Sequence, residues 1–465
     1  MKYKVVLVLF LGAVHFVKAQ KGLTVMSYTL EMDIDYGQRS VNANCELLLS
    51  KTTGEQTTEI PLLLYRLLEV TSVSVNGENI PFQQEITSLE GLDVFQVNYV
   101  QIFLPEAFSK MKDYQVNIEY EGTIQGYSET GLTYVKDNID GHFTIIRPES
   151  LPYPICGTPQ FSTLKDISTQ HFTYDLKVTV PDSLYVVNGG VLVDSLRHEG
   201  LTTFIYRSVQ PTYQIVATIA KYQVIKHEGI TTFYFEDDSK DALRVHNEML
   251  EAFELYAKWW GRLKSRDNFS LIEIPEGYGS QANENFIIQT ASAFNEPGQV
   301  MQLYHEISHL WNVKPADKNP PRWNEGLATF IQYLTVERLK RRILIDSIAN
   351  EYYRSIGEDS NYAEIALIDY GTNNVTGRSY TVGFVAFYIL YKVVGDDAFH
   401  QAIKSYYNEF YVSGSTTQEF VQHFNVQTKE NVEKIFNDWF FSTDYFKYLK
   451  EGLTLNELIQ KYASK

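Results

Sequence analysis

The feature that most constrains the fold is a change of residue pattern near the middle of the chain. From Leu23 to about Lys226, short runs of alternating or β-branched residues are separated by turn residues, which is typical of a β-sandwich. From Ser239 onward, apolar residues recur at helical spacing, first over residues 241–260. This order predicts two domains that join near residues 221–229.

The expected fold is therefore α+β and multidomain. An N-terminal antiparallel β-sandwich is predicted over residues 20–224, and a mixed, then mainly helical domain over residues 225–465. The second domain has predicted strands at 269–274 and 284–289 and predicted helices at 241–260, 300–311, 325–338, 380–394, 397–407, 418–424 and 431–440.

The first nineteen residues are typical of a secretory signal peptide. Lys2 and Lys4 precede an apolar run from Val5 to Val14, and Ala19 stands at the expected cleavage position. A membrane span needs roughly 20 apolar residues, and this run is about half that length. We therefore expect residues 1–19 to be removed and the mature chain to be exported, periplasmic or extracellular, without a membrane span.

Composition excludes some classes of partner. The 465 residues include 40 Lys and Arg against 57 Asp and Glu, a net charge of −17. Nucleic acid and anionic membrane surfaces are disfavoured as partners, because phosphate binding needs clustered positive charge. The two cysteines, Cys45 and Cys156, provide no disulfide framework, and the sequence leaves open whether they pair.

The pattern that carries chemistry is H-E-x-x-H, spelled by residues 305–309 inside a predicted helix. Residues four apart lie on one face of a helix, so His305 and His309 can direct their imidazoles at one metal ion. Glu306 stands beside them and is the candidate general base. The alternative is an amphipathic helix whose histidines bind no metal, so a third ligand decides between the two.

Glu325 is the candidate third ligand. It opens a second predicted helix, and fifteen residues that include three prolines separate it from His309. Prolines in the linker end the first helix and turn the chain back, so an antiparallel helix pair could bring Glu325 to the metal. Three protein ligands leave a fourth position for water, which predicts one catalytic Zn²⁺ per chain. In this hypothesis Glu306 takes a proton from the water and delivers it to the departing amine.

These motifs resemble the aminopeptidase N-like zinc peptidases, or alanyl aminopeptidases, which belong to the gluzincins. The resemblance implies a thermolysin-like catalytic domain, and the few residues after Tyr380 imply a short form without the helical C-terminal domain. Residues 282–285 are similar to the family's Gly-Ala-Met-Glu-Asn segment. The resemblance rests on His305-Glu306-Ile307-Ser308-His309, Trp323-Asn324-Glu325-Gly326-Leu327-Ala328, Arg378-Ser379-Tyr380-Thr381-Val382-Gly383 and Ala282-Asn283-Glu284-Asn285.

The resemblance also implies roles for individual residues. Tyr380 would donate a hydrogen bond to the oxyanion of the tetrahedral intermediate. Glu284 would bind the free α-ammonium of the substrate by a charge-assisted hydrogen bond. Ala282 and Asn285 would belong to the same substrate-binding segment. Apart from the resemblance, the strand at 285–289 could pair with the peptide backbone by β-augmentation, and the alternative is that Glu284 is a solvated charge on an edge strand.

The sequence departs from the family pattern at several positions. Asn283 stands where the family has Met, Gln281 where it has Gly, and the linker between His309 and Glu325 is shorter. Residues 309–314 are also similar to the glycyl aminopeptidase family. The expected function is an exported zinc aminopeptidase acting on peptides with a free N-terminus. Two alternatives stay open: a zinc endopeptidase with an open cleft, and a catalytically silent peptide-binding protein of the same fold.

Overall fold

The structure is a computed structural model. It describes residues 22–127, 135–167, 170–263, 269–283, 285–317, 321–340, 344–370, 377–428, 430 and 432–464. The predicted signal peptide and Glu284 lie outside the described residues. No described helix is both long enough and apolar enough to cross a membrane.

The N-terminal half is built from strands, as predicted. Its helices are short, α1 (Glu106–Ser109) and α2 (Phe161–Asp166). Its strands are β1 (Leu23–Asp35), β2 (Ser40–Lys51), β3 (Glu59–Tyr65), β4 (Leu68–Val75), β5 (Glu78–Asn79), β6 (Phe82–Leu89), β7 (Leu92–Phe103), β8 (Asp113–Gly122), β9 (Phe143–Ile146), β10 (Ile155–Cys156), β11 (Thr173–Pro181), β12 (Tyr185–Asn188), β13 (Val191–His198), β14 (Leu201–Arg207) and β15 (Ala217–Ala220).

These strands form three sheets around a common core. The largest has the order β13-β14-β11-β1-β2-β8-β4-β5, and the others are β10-β3-β7-β6 and β12-β15-β9. Strand β1 alternates as expected for a half-buried strand: Tyr28, Leu30 and Met32 are buried, whereas Thr29 and Glu31 are exposed. Cys45 and Cys156 are both buried and free, so they form no disulfide.

The large sheet is mixed rather than purely antiparallel. Strands β1 and β2 pair antiparallel, but β11 pairs parallel to β1 along its other edge. A parallel neighbour requires a long connection, and here about two-thirds of the N-terminal domain intervenes between the two strands. The predicted sandwich is therefore confirmed in architecture, with one parallel pairing that the strand pattern does not reveal.

The C-terminal half combines one sheet with helices. The sheet has the order β16-β17-β18-β20-β19, and β16 spans the predicted domain boundary at residues 224 and 225. The strands are β16 (Tyr222–His227), β17 (Ile230–Phe235), β18 (Phe269–Ile274), β19 (Gln281–Asn283) and β20 (Phe286–Thr290). The helices are α3 (Ser239–Trp260), α4 (Ser292–Asn295), α5 (Met301–His309), α6 (Trp323–Lys340), α7 (Ile345–Glu358), α8 (Gly377–Val394), α9 (Asp396–Phe410), α10 (Thr417–Thr428), α11 (Glu433–Phe436), α12 (Tyr445–Lys450) and α13 (Leu455–Ala463).

Helix α7 was not predicted from the sequence, although its pattern is detectable. Ile345, Ala349, Tyr353 and Ile356 are buried at helical spacing, on the face that packs towards α8. Helices α12 and α13 were missed as well. The predicted helix at 431–440 is divided into α11 and a π-helical turn at Asn437–Phe441.

The N-terminal domain contacts the segment that leads into the edge strand β19. Arg147 and Asp137 form a fully buried ion pair, 2.7 Å between Nη2 and Oδ1. Arg147 Nη1 also donates to the carbonyl of Tyr278 at 2.9 Å, and Gln281 Nε2 donates to Glu149 Oε1 at 2.7 Å. The N-terminal domain therefore holds β19 and the loop before it in place.

Candidate metal centre

Helices α5 and α6 bring the three predicted ligands together. Nε2 of His305 and Nε2 of His309 are 3.2 Å apart, and Oε2 of Glu325 lies 3.3 Å and 3.5 Å from them. Tetrahedral zinc ligands at about 2.1 Å from the ion are about 3.4 Å from one another. Two imidazoles and a carboxylate are also a preferred zinc donor set. The triangle of donor atoms therefore fits Zn²⁺, and it is the metal-binding cluster found among the described residues.

The charges around Glu325 keep it ionised. Burial opposes ionisation, but His309, His305 and Arg322 together hold the pKa of the Glu325 carboxyl well below its usual range. A ligand must be deprotonated to bind zinc, so this environment prepares Glu325 for the metal.

Asn312 contacts the metal ligand His309 and was not predicted from the sequence as a residue of the site. Its side-chain amide lies 2.7 Å from Nδ1 of His309. Contacts of this kind fix the orientation of a ligating imidazole, because they hold the nitrogen that does not face the metal. Asn312 follows His309 by three residues, and that spacing was the available signal.

Glu306 lies beside the donor triangle. The backbone N–H of Ala282, in the edge strand β19, donates a hydrogen bond to its carboxylate. Burial raises the pKa of Glu306 to about 7, while His305 lowers it and Glu325 raises it. A carboxyl group held beside a metal site in this way can accept and release a proton near neutral pH.

Tyr380 reaches the site from helix α8. Its ring stacks on that of His305, with centroids 5.8 Å apart and planes at 21°. A close crossing of α6 and α8 makes this possible: a Cβ on Gly326 would lie 2.3 Å from the Gly383 Cα. Gly326 follows Glu325 directly, so the two glycines let the carboxylate and the tyrosine face each other.

Two cavities flank the donor triangle along strand β19. One, of about 380 Å³, is lined by Asn283, His309 and Glu325 together with Trp323 and Lys314. The other, of about 500 Å³, includes Ser280, His305, Glu306, Tyr380, Gln332 and Tyr352. The strand thus runs from the second cavity towards the first and passes the metal ligands.

The predicted substrate-binding segment is only partly where it was expected. Ala282 contacts Glu306, and Glu284 lies outside the described residues. Asn285 faces the N-terminal domain, where it lines a small separate cavity with Tyr174 and Gly189.

The prediction that the strand at 285–289 pairs with a peptide is wrong. Strand β20 is hydrogen-bonded to β18 on one side and to β19 on the other, so it has no free edge. Among the described strands of this sheet, β19 is the edge strand next to β20, and it was not predicted as a separate strand.

Comparisons with known proteins agree with this site. Residues 280–439 match the peptidase family M1 domain. "Probable aminopeptidase 2" of Sulfurisphaera tokodaii is 23% identical over 412 residues, which cover 81% of this chain and 49% of the relative. The chain therefore spans about half the length of this curated relative.

Solved structures share the fold. A variant of an M1 zinc metallopeptidase from Deinococcus radiodurans, bound to a Tyr-Ser-Ala substrate, superposes with a TM-score of 0.66 at 18% identity, covering 90% of this chain and 94% of that one. Yeast LTA4 hydrolase in complex with bestatin gives a TM-score of 0.67 at 15% identity, covering 91% of this chain and 68% of that one.

Residues 280–439 of the chain thus match the peptidase family M1 domain, and the three predicted metal ligands lie within this region. The expected resemblance and the α+β fold are confirmed, and the cluster of His305, His309 and Glu325 fits the expected zinc ion.

Proposed function

We propose that this protein is an exported zinc aminopeptidase that releases N-terminal residues from peptides. One observation carries the proposal: three donor atoms spaced for zinc lie beside Glu306 and Tyr380, next to a strand with a free edge. When bound, zinc supplies Lewis acidity, which polarises the scissile carbonyl and lowers the pKa of water.

The residues of the chain perform the remaining steps. Glu306 accepts the proton of the attacking water and passes it to the departing amine. Tyr380 donates a hydrogen bond to the carbonyl oxygen as negative charge develops there, which stabilises the transition state more than the ground state.

The free edge of β19 explains how a peptide would be oriented. A substrate paired antiparallel with β19 places its N-terminal side near Asn283 and its C-terminal side near Ser280. The first cavity would then receive the N-terminal residue, next to the position where Glu284 follows in the sequence. The name of the archaeal relative and the tripeptide bound to the Deinococcus protein support a peptide substrate.

An endopeptidase is the second candidate, because cavities lie on both sides of the ligands and could accept chain in both directions. The deciding experiment compares aminoacyl reporter substrates with the same peptides carrying an N-terminal acetyl group. An aminopeptidase cleaves the free forms only. Equal cleavage of acetylated peptides would support the endopeptidase.

Export is supported by the basic and apolar pattern of residues 1–19. Expression of the full chain in a secreting host should yield a mature protein that begins at Gln20. Intact-mass measurement of the exported and retained fractions tests this, and a retained protein with Met1 in place would contradict it.

A further inference from the structure

Arg322 is a residue of the site to which no role has yet been assigned. Arg322 directly precedes helix α6, and its side chain lies between Tyr380 of helix α8 and the proposed metal ligand Glu325. Its Nη2 atom lies 3.4 Å from the Tyr380 hydroxyl and 3.7 Å from Oε1 of Glu325. One guanidinium nitrogen therefore contacts both a metal ligand and the proposed oxyanion donor.

The two oxygens of Glu325 face different partners. Oε2 points at the imidazoles of His305 and His309, whereas Oε1 points at Arg322. A carboxylate can bind a metal through one oxygen or two. Because the Arg322 guanidinium lies 3.7 Å from Oε1, Oε2 is the oxygen that would hold the metal.

The Tyr380 hydroxyl has two polar neighbours, Arg322 and Glu325. Arg322 carries only donors, so the tyrosine oxygen accepts from it and the single hydroxyl proton must point elsewhere. The Glu325 side chain is hydrogen-bonded to this hydroxyl, so its carboxylate is the acceptor that competes with a substrate for the proton. Because the Arg322 guanidinium lies 3.7 Å from Oε1 of the same carboxylate, it competes with Tyr380 for that negative charge and favours release of the hydroxyl proton to the substrate.

We propose that Arg322 is a positioning residue that draws Oε1 of Glu325 towards itself, so that Oε2 would hold the metal, and that frees the Tyr380 hydroxyl for the reacting carbonyl. The inference rests on the proposed function for its rate effect, but its effect on zinc affinity is independent of turnover. The proposed role also accounts for the burial of the Arg322 side chain, which is only 32% exposed. Such burial is otherwise unexpected, because Arg322 is a cation at a helix start, where the macrodipole disfavours positive charge.

A double-mutant cycle tests the link to Tyr380. The variants are Arg322→Ala, Tyr380→Phe and the double substitution, with kcat and KM measured on an aminoacyl reporter. We expect Arg322→Ala to lower kcat about 10-fold with little change in KM, and to lower it less than about 3-fold once the hydroxyl is absent. If Arg322 had only a structural role, Arg322→Ala would lower kcat by the same factor with Tyr380 and with Phe at that position, so the two losses would multiply in the double variant.

Zinc affinity tests the link to Glu325. Competition with a chelator should show zinc bound about 10-fold more weakly by Arg322→Ala, with or without the tyrosine hydroxyl. Arg322→Lys keeps the charge without the planar fork and should fall between wild type and Arg322→Ala.

Helix α6 offers a matched control at its other end. Arg338 also contacts a carboxylate and a tyrosine hydroxyl, Asp396 at 2.7 Å and Tyr391 at 3.0 Å, but it is remote from the metal ligands. Arg338→Ala should leave kcat and zinc affinity unchanged.

Either unchanged zinc affinity in Arg322→Ala or multiplicative rate losses would overturn the proposal. Should Arg322→Ala fail to fold, as judged by thermal unfolding, Arg322→Gln takes its place with the same expectations. A wild-type protein that binds zinc but cleaves no reporter would overturn the proposed function instead, and zinc affinity alone would then decide the role of Arg322.

Discussion

The metal centre and the five-stranded sheet each bury a glutamic acid whose pKa is raised, yet only one of them is placed to react. Burial raises the pKa of Glu306 to about 7 and that of Glu273, in strand β18, to about 9. Glu306 lines a cavity beside the metal ligands. Glu273 has no exposed surface, and its Oε2 accepts the backbone N–H of Phe235 at 2.7 Å.

This comparison shows that a perturbed pKa indicates a functional group only when the group also faces a cavity and lies beside other residues of a site. Glu273 has the larger rise in pKa, but its carboxyl accepts a backbone N–H of β17 and lies next to the side chain of Asp238, as part of the packing of the sheet. Glu306, by contrast, lines a cavity that a substrate can enter and lies next to the metal ligands.

Replacing Glu306 by Gln should abolish most activity while zinc stays bound. Loss of a general base costs about 10²- to 10⁴-fold in kcat, whereas the donor triangle is untouched. Reporter kinetics and metal content measure the two quantities. Glu273→Gln is the matched control and should retain activity, so near-normal turnover in Glu306→Gln would break the contrast.

Replacing Tyr380 by Phe should lower kcat about 100-fold, because one donor to the developing oxyanion is lost. The measurement is steady-state kinetics on the same reporter, with KM changing much less than kcat. Tyr391→Phe, in the same helix but bonded to Asp396, serves as the control. Equal rates for the two variants would remove Tyr380 from the mechanism.

Replacing Asn312 by Ala should weaken zinc binding about 10- to 100-fold, since the imidazole of His309 loses the contact that orients it. Chelator competition measures the change. Asn350→Ala, on helix α7 and away from the metal, should bind zinc normally. An unchanged affinity in Asn312→Ala would show that packing alone orients His309.

Replacing Glu273 by Gln should change the pH dependence of stability and not activity. The pKa of Glu273 in the folded protein is raised above its usual 4.5 to about 9, so the unfolded chain releases its proton first as pH rises. The contribution of protonated Glu273 to the free energy of unfolding is fully present below pH 4.5. It is lost progressively up to about pH 9, and its total size is on the order of a few kcal/mol.

Urea unfolding of metal-free wild type and Glu273→Gln at pH 5, 7 and 9 measures this effect. The free energy of unfolding of the wild type should fall relative to that of the variant across this window. Parallel pH dependences would mean that Glu273 is solvated and that the two glutamates differ less than their burial implies.

Much of the fold could be predicted because periodicity is a local property. The predicted helix at 241–260 corresponds to α3 (Ser239–Trp260), and that at 380–394 to α8 (Gly377–Val394). Errors arose where local patterns are short or depend on distant pairing. Strand β19 has three residues, too few for an alternation to be recognised, and its edge position depends on which strands pair beside it.

The residues of the site also fall into two groups: those that local spacing predicts and those whose contacts depend on distant parts of the chain. The spacing of His305, Glu306 and His309 is fixed by one helical turn, so the sequence alone determined which side chains share a face. That Glu325 completes the triangle depends on the turn between two helices, which the fifteen-residue linker with its three prolines made possible but did not determine. The contacts of Arg322 and Ala282 are not visible in any local pattern, and that of Asn312 appears only as its three-residue spacing from His309.

By itself the sequence determined the order of strand-rich and helical halves, the two imidazoles on one helical face and the acidic side chain between them, because each depends on neighbours within a few residues. Only the tertiary structure decided which oxygen of Glu325 faces the imidazoles, which strand keeps a free edge and which buried glutamate faces a cavity. These depend on how helices α6 and α8 cross at two glycines and on how the sheet pairs, and contacts between distant parts of the chain set both.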